Sequence, residues 1–214
     1  MGHFQEFEDE YLETLYDFHE KFPEEIVRNG ALAKYLSVSP ASATEMVQRL
    51  ATNGYVEYVP YKGTLLTEKG LERGQMMKRR HRLAEVLLDL LPFDGDVHET
   101  ACRLEHAFND DLEVCFTILL GDPQIDPSGQ VIPPPRDIIT EQISQITNIK
   151  SVFNLEEGET GEVILILSTS SDQQVLDTLG ISSGSIISNT NGLQFNNFNI
   201  EISDEMSKRI IVRC

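Results

Sequence analysis

Hydrophobic positions recur at helical spacing through the first two thirds of the chain and give way to short alternating runs in the last third. Tyr11, Leu12, Leu15 and Tyr16 mark one face of a first helix, and Leu83, Val86, Leu87, Leu90 and Leu91 one face of a long middle helix. Between them, residues 31–36 predict a short helix, Ser37-Val38 a tight turn, and Ser39 with Pro40 the N-cap and first position of a second helix. Ala33, Leu36, Val38, Ala43, Val47 and Leu50 supply an apolar seam to lock these two helices at a steep angle. Gly54 ends the second helix, and residues 55–67 read as two strands joined at Tyr61-Lys62-Gly63, a β wing, after which Thr67-Glu68-Lys69-Gly70 opens the next helix. Residues 122–137 hold five of the nine prolines and predict an extended surface linker. Beyond it, residues 161–167 predict a strand, residues 175–180 a helical turn, and residues 184–214 alternation broken by turns such as Asn191-Gly192. The fold class expected is mainly α with a β wing, plus a small β-rich domain. Three domains are expected: 1–74, 75–140 and 141–214.

Charge changes this picture locally. Across 214 residues, Lys+Arg 17 against Asp+Glu 35 leaves a formal net charge of -18, which excludes a protein that coats nucleic acid or anionic membrane with its whole surface. Residues 28–82 depart from that balance, with ten basic residues (Arg28, Lys34, Arg49, Lys62, Lys69, Arg73, Lys78, Arg79, Arg80, Arg82) against four acidic ones (Glu45, Glu57, Glu68, Glu72), 10 − 4 = +6. A basic face within an acidic chain is the electrostatic footprint of a DNA-binding module, and also of an ordinary solvated surface. No apolar run approaches the roughly 20 residues of a membrane span, and the start MGHFQEFEDE lacks a signal-peptide core. Three cysteines form no disulfide framework. A cytoplasmic protein without membrane contact is expected.

The helix–turn–helix pattern, wing and basic window together predict a winged helix-turn-helix that binds double-stranded DNA. Ser39, Pro40, Ala41, Ser42, Thr44 and Glu45 lie near the N-terminus of the second helix, where a recognition helix meets base edges. Hydroxyls there can bond bases, alanine methyls can touch thymine, and a carboxylate can accept from cytosine N4. Arg28 and, at the wing tip, Lys62 are candidates for phosphate. The Lys78-Arg79-Arg80 cluster is expected to add phosphate contacts.

The middle third carries metal-ligand spacing. In HETACRLEH, His98, Cys102, Glu105 and His106 fall at i, i+4, i+7 and i+8, a spacing that stacks them on one helical face. His81 and Glu85 form another i, i+4 pair, and Glu10 and Glu13 stand three apart on the first helix. The mixture of nitrogen, oxygen and sulfur suits Fe(II), Mn(II), Co(II), Ni(II) or Zn(II) better than Ca(II) or Mg(II). His98-Glu99 imitates the opening of a zinc-protease HExxH helix, but Cys102 stands where the second histidine belongs. With no Ser-His-Asp signature and no phosphate-binding loop, a metalloenzyme is disfavoured. A winged-helix regulator sensing an organic ligand is the other alternative.

In order along the chain, EYLETLY, SPASATEMVQRL, GYVEYVPYKGTLLTEKG, RRHRLAEVLL and HETACRLEHAF resemble the metal-dependent transcriptional repressors of the diphtheria toxin repressor and manganese transport regulator family. The segments LEEGETGEV, LGISSGS and RIIVRC resemble the SH3-like third domain of longer members. The resemblance implies a homodimeric repressor, not an enzyme, that uses a divalent metal as corepressor. It implies one site from Glu10, Cys102, Glu105 and His106, and another from His81, Glu85 and His98; Glu13, on the same helix as Glu10, is a further candidate to bridge the first helix to the former site. Three departures stand out. An acid at Glu10 matches manganese-type members, whereas Cys102 matches the iron type. The family's Cys-Pro-His-Gly in the linker is Asp126-Pro127-Ser128-Gly129. The stretch from which longer members lend a third-domain ligand reads STSSDQQ, leaving Asp172 or Gln173 as candidates. The thiolate of Cys102 is soft, so Fe(II) is favoured, with Mn(II) the alternative.

Overall fold

The computed structural model describes residues 3–23, 25–91, 93–168 and 170–214. The chain divides into two compact units, Met1–His81 and Arg82–Cys214.

The first unit contains α1 (His3–Lys21), α2 (Asn29–Tyr35), α3 (Pro40–Thr52), the hairpin β1 (Val56–Val59) and β2 (Gly63–Leu66), and the first turns of α4 (Glu68–Leu90). Its core joins Tyr11, Leu12 and Leu15 of α1 to Leu32, Ala33, Ala43, Val47, Leu50 and Val56. The expected helix–turn–helix is present. Ser37 adopts φ 55, and the Val38 N–H returns to the Ala33 carbonyl at 3.0 Å, a closing turn that caps α2. That turn points Val38 outward, 37% exposed, so the seam forms without it. Ser39 caps α3 by accepting from the Ser42 N–H at 3.0 Å, with Pro40 opening the helix. At its other end Gly54 takes φ 76 while the Tyr55 N–H reaches the Leu50 carbonyl at 2.9 Å. β1 and β2 pair antiparallel from Val56↔Leu66 to Val59↔Gly63, and Val27 bridges Thr64 on the outer edge. Helix α1 crosses α4 at Gly74, where a Cβ would stand 2.6 Å from the Leu12 carbonyl oxygen.

The second unit begins with the remainder of α4, then α5 (Val97–Leu104), a 3-10 turn (Glu105–Ala107), α6 (Asp110–Leu119) and α7 (Asp137–Gln145). Leu83, Ala84, Leu88, Ala101, Phe108, Leu120 and Ile132 form its helical core. There follow β3 (Ile149–Ser151), β4 (Thr160–Ile166), α8 (Ser170–Leu179), β5 (Ile186–Asn189), β6 (Leu193–Phe195), β7 (Phe198–Asn199), α9 (Asp204–Lys208) and β8 (Ile210–Arg213). The strands make one six-stranded sheet in the order β3-β8-β4-β5-β6-β7, every pair antiparallel, over a core that includes Val163, Leu176, Ile187 and Ile210. This is the small β-rich domain expected from the alternating pattern, and it answers to the SH3-like domain that the family resemblance implies.

The proline-rich segment is better fastened than an extended linker. Asp126, 5% exposed, accepts from the N–H groups of Ser128 and Gln130 at 2.8 and 2.9 Å and from the Ser128 hydroxyl at 2.7 Å. Ile125 bridges Val131 across this loop, and Arg82 donates to the Val131 carbonyl and, at 2.9 Å, to Gln130 Oε1. Asp126 thus gives its segment a folded loop through local hydrogen bonds. Among the described residues, no helix is long and apolar enough to cross a membrane.

Candidate metal centre and nucleic-acid interface

On the first unit, Ser39, Pro40, Ala41, Ser42 and Glu45 are exposed at the N-terminal end of α3. Arg28, before α2, and Lys62, at the wing tip, are exposed as well. The hydroxyls of Ser39 and Ser42 pair with each other at 2.8 Å. Thr44 differs from these: it is half-buried, its hydroxyl donates to the Pro40 carbonyl at 2.8 Å, and it accepts from Asn29 Nδ2 at 3.3 Å. Asn29 Oδ1 in turn accepts from the hydroxyl of Thr64, a wing residue with no exposed surface. Asn29 thereby ties the recognition helix to the wing. Nothing in the sequence spacing singled it out, because its partners lie 15 and 35 residues away.

Most of the basic window is spent inside the unit. Arg49 pairs with Glu8 at 2.7 Å, Arg73 holds both oxygens of Asp9 at 2.8 and 2.7 Å, and Lys78 pairs with Glu13 at 2.8 Å and Asp17 at 2.7 Å. The acids of α1, outside the window that was counted, neutralise cations inside it. Lys78, Arg79 and Arg80 are 7%, 2% and 6% exposed, so this cluster is not a phosphate-binding surface. Burial alone lowers the Lys78 pKa, but Glu13 and Asp17 outweigh it and raise it well above the usual lysine range. Among the described residues, Arg28, Lys34, Lys62 and Lys69 are the exposed cations of the window outside these ion pairs, and Lys69 donates to the Asn53 carbonyl at 2.9 Å.

The metal-ligand candidates fall on both units. In the first, Glu10 is exposed and Glu13 is 8% exposed. His81, 3% exposed, places Nδ1 3.7 Å from Glu13 Oε1. In the second, His98 Nδ1 stands 3.2 Å from Glu85 Oε1, and its Nε2 stands 3.9 Å from Cys102 Sγ. His98 therefore stands between a carboxylate at one ring nitrogen and a thiol at the other, which places Cys102 beside a residue expected in the other ligand set. The His98 side chain is 73% exposed and that of Glu85 14%, so these donors meet at the surface.

The expected single ligand face is not continuous. Asp96 caps α5 by accepting from the Glu99 N–H at 2.9 Å, but the helix ends at Leu104 and Glu105–Ala107 tightens into a 3-10 turn. Phe108 explains the tightening: it is 6% exposed, stacks on Phe116 at 4.9 Å between ring centroids, and is followed at once by Asn109, the N-cap of α6. The chain must turn inward within three residues. Glu105 consequently sinks to 2% exposure, with His106 Nε2 3.5 Å from its Oε1. Around the C-terminal sheet, Asp172 pairs with Arg209 at 3.0 Å, and Gln173 bonds Asp177 and Ser168 at 2.8 and 2.9 Å, so both candidates are engaged with neighbours there.

The donor types suit a divalent transition metal: the imidazole of His98, open to solvent, has a carboxylate beside one ring nitrogen and a thiol beside the other. Comparison with known proteins agrees with this chemistry. Residues 3–64 match the family model for the iron dependent repressor N-terminal DNA binding domain, and residues 67–134 that for the iron dependent repressor metal binding and dimerisation domain.

The chain belongs to the iron-dependent repressor family.

The chain is 30% identical over 216 residues to the diphtheria toxin repressor of Corynebacterium efficiens, an alignment covering 94% of this chain and 93% of that protein. It is 38% identical over 106 residues to an uncharacterized HTH-type transcriptional regulator of Methanocaldococcus jannaschii, covering 49% of this chain and 84% of the relative. Its fold resembles that of a manganese-dependent transcriptional repressor in complex with manganese, with TM-score 0.51, 24% identity, and coverage of 96% of this chain and 99% of that one. The manganese regulator SloR is similar at TM-score 0.53 and 20% identity, covering 96% and 97% of the two chains. As a member of this iron-dependent repressor family, the chain is a metal-dependent, DNA-binding transcriptional repressor.

Proposed function

We propose that this repressor controls metal-ion homeostasis in the cytoplasm with Fe(II) as its favoured corepressor and Mn(II) as the alternative. The observation that carries the reading is Cys102 Sγ standing 3.9 Å from His98 Nε2, a sulfur donor beside a nitrogen donor, with Glu85 at the other ring nitrogen. Thiolate favours the Fe(II) to Zn(II) end of the series over Mn(II). Glu10, Glu13, Glu105, His106 and His81 complete the proposed ligands. A bound divalent cation supplies positive charge that carboxylates otherwise lack. The remaining steps belong to the chain: Ser39, Pro40, Ala41, Ser42 and Glu45 face base edges, Thr44 and Asn29 hold the recognition helix against the wing, and Arg28 and Lys62 meet phosphate.

The proposed assembly is a homodimer on operator DNA, with half-sites about 34 Å apart or a multiple of that spacing. Leu91 and Leu112, 45% and 39% exposed, are apolar residues of the helical segment that support a further packing partner. Anaerobic equilibrium binding of Fe(II) to the wild type, His98→Ala and Glu85→Gln tests the ligand assignment. Loss of at least tenfold in affinity is expected for each variant. Unchanged affinity in both would remove these residues from the proposed site.

A further inference from the structure

Tyr61 stands at the tip of the wing with 106% relative exposure. The tip is a turn over residues 59–62, closed by the Lys62 N–H on the Val59 carbonyl at 3.0 Å. Pro60 suits the second position of such a turn because its ring fixes φ. Tyr61 occupies the third with φ 66, a left-handed conformation usually left to glycine or asparagine. A large aromatic residue held there is strained, and with its whole surface in water it gains no packing within its own chain in return. Strain retained at an exposed position points to something outside the chain.

The surroundings indicate what that is. Val56 of the wing shares a core with Val47 and Leu50 of α3, and Thr64 is tied through Asn29 to Thr44 of the same helix. The wing tip is thus rigidly referenced to the recognition helix. Lys62, next to Tyr61, is exposed, and so is Arg28. These neighbours favour a polyanion over a protein surface.

We propose that Tyr61 is a further DNA-contacting residue. With α3 in a major groove, the ring lies against the sugar rim of the flanking minor groove and the hydroxyl bonds a phosphate oxygen. The inference rests on the chain's being a DNA-binding repressor and adds a contact that phosphate-seeking cations do not explain.

The test measures operator affinity of metal-loaded full-length protein at several salt concentrations, together with Tm, for wild type, Tyr61→Gly, Tyr61→Asn, Tyr61→Phe and Lys62→Ala. Tyr61→Gly is expected to keep or raise Tm while weakening operator binding about tenfold, with little change in salt dependence. Tyr61→Asn, which tolerates the same backbone, should behave alike and serves if the glycine variant loses stability. Tyr61→Phe should lose only the hydroxyl's part of the affinity, and Lys62→Ala should instead reduce the salt slope by about one. Wild-type affinity in both Tyr61→Gly and Tyr61→Asn would overturn the proposal. A wild type that binds no operator fragment even with metal would overturn the repressor reading itself, a separate result.

Discussion

Helices α3 and α5 both open on a capping side chain, Ser39 and Asp96, and both carry a run of polar residues meant for something outside the helix. They diverge after the first turn. α3 continues for 13 residues because Ala43, Val47 and Leu50 form an uninterrupted buried seam, which leaves its polar face outward and regular. α5 lasts 8 residues, buries Ala101, and tightens at Glu105 to bring Phe108 into the core. Polar spacing is realised as geometry only where an apolar seam enforces the helix. The reading surface is held by its own helix, whereas the ligand surface depends on neighbours, with Glu85 on α4 bonding His98.

The largest effect expected on this contrast comes from removing the clamp that joins α1 to α4 beneath the recognition unit. Lys78→Met leaves Glu13 and Asp17 without their cation and should cost about 3 kcal/mol in denaturant unfolding. Because the Lys78 pKa is raised on folding, its contribution is fully present below the unfolded lysine value and fades only as pH rises through the higher folded value. The Lys78→Met deficit should therefore be the same at pH 7 and pH 9, and a deficit that vanishes by pH 9 would deny the ion-pair origin.

Cys102→Glu comes next. Replacing thiolate by carboxylate should raise the Mn(II) response relative to Fe(II) about tenfold, and an unchanged metal ranking in operator-binding titrations would refute the sulfur argument. The two caps sharpen the comparison further. Ser39→Ala and Asp96→Ala should each cost about 1 kcal/mol, but Asp96→Ala alone should also weaken metal binding, because α5 has less seam to hold it. Equal metal affinity in the two variants would show that the short helix is held elsewhere. The smallest effect is on salt. With Arg28, Lys34, Lys62 and Lys69 as the exposed cations outside ion pairs, operator affinity should fall with a log–log slope of roughly −4 per protomer. A slope near twice that would mean that the buried pairs of α1 open on DNA.

The winged helix was legible because its signals are local. Ser39-Pro40, Gly54 and the Tyr61-Lys62-Gly63 turn each act within a few residues, and the structure has the wing and both helices where those signals put them. What could not be read depends on distant partners. Glu8 and Asp9 neutralise Arg49 and Arg73 across 41 and 64 residues, so a window count of charge overstated the basic surface. The ligand set was legible as residue types, but its faces were not, since the break after Leu104 follows from the burial of Phe108. α7 and α9 escaped notice because they are short, with Ile139 and Met206 as their buried apolar anchors. The alternating pattern of the last third of the chain did announce its sheet, though not the strand order, which brings β8 between β3 and β4.

The central claim is that metal decides whether this chain holds DNA. Electrophoretic mobility shift of the purified full-length protein, under anaerobic conditions on genomic fragments upstream of metal-uptake genes, tests it with chelator, Fe(II) or Mn(II). A shift that appears only with metal, and more readily with Fe(II), is the predicted result. Equal binding in chelator would contradict it and bring forward a winged-helix regulator that answers to an organic ligand.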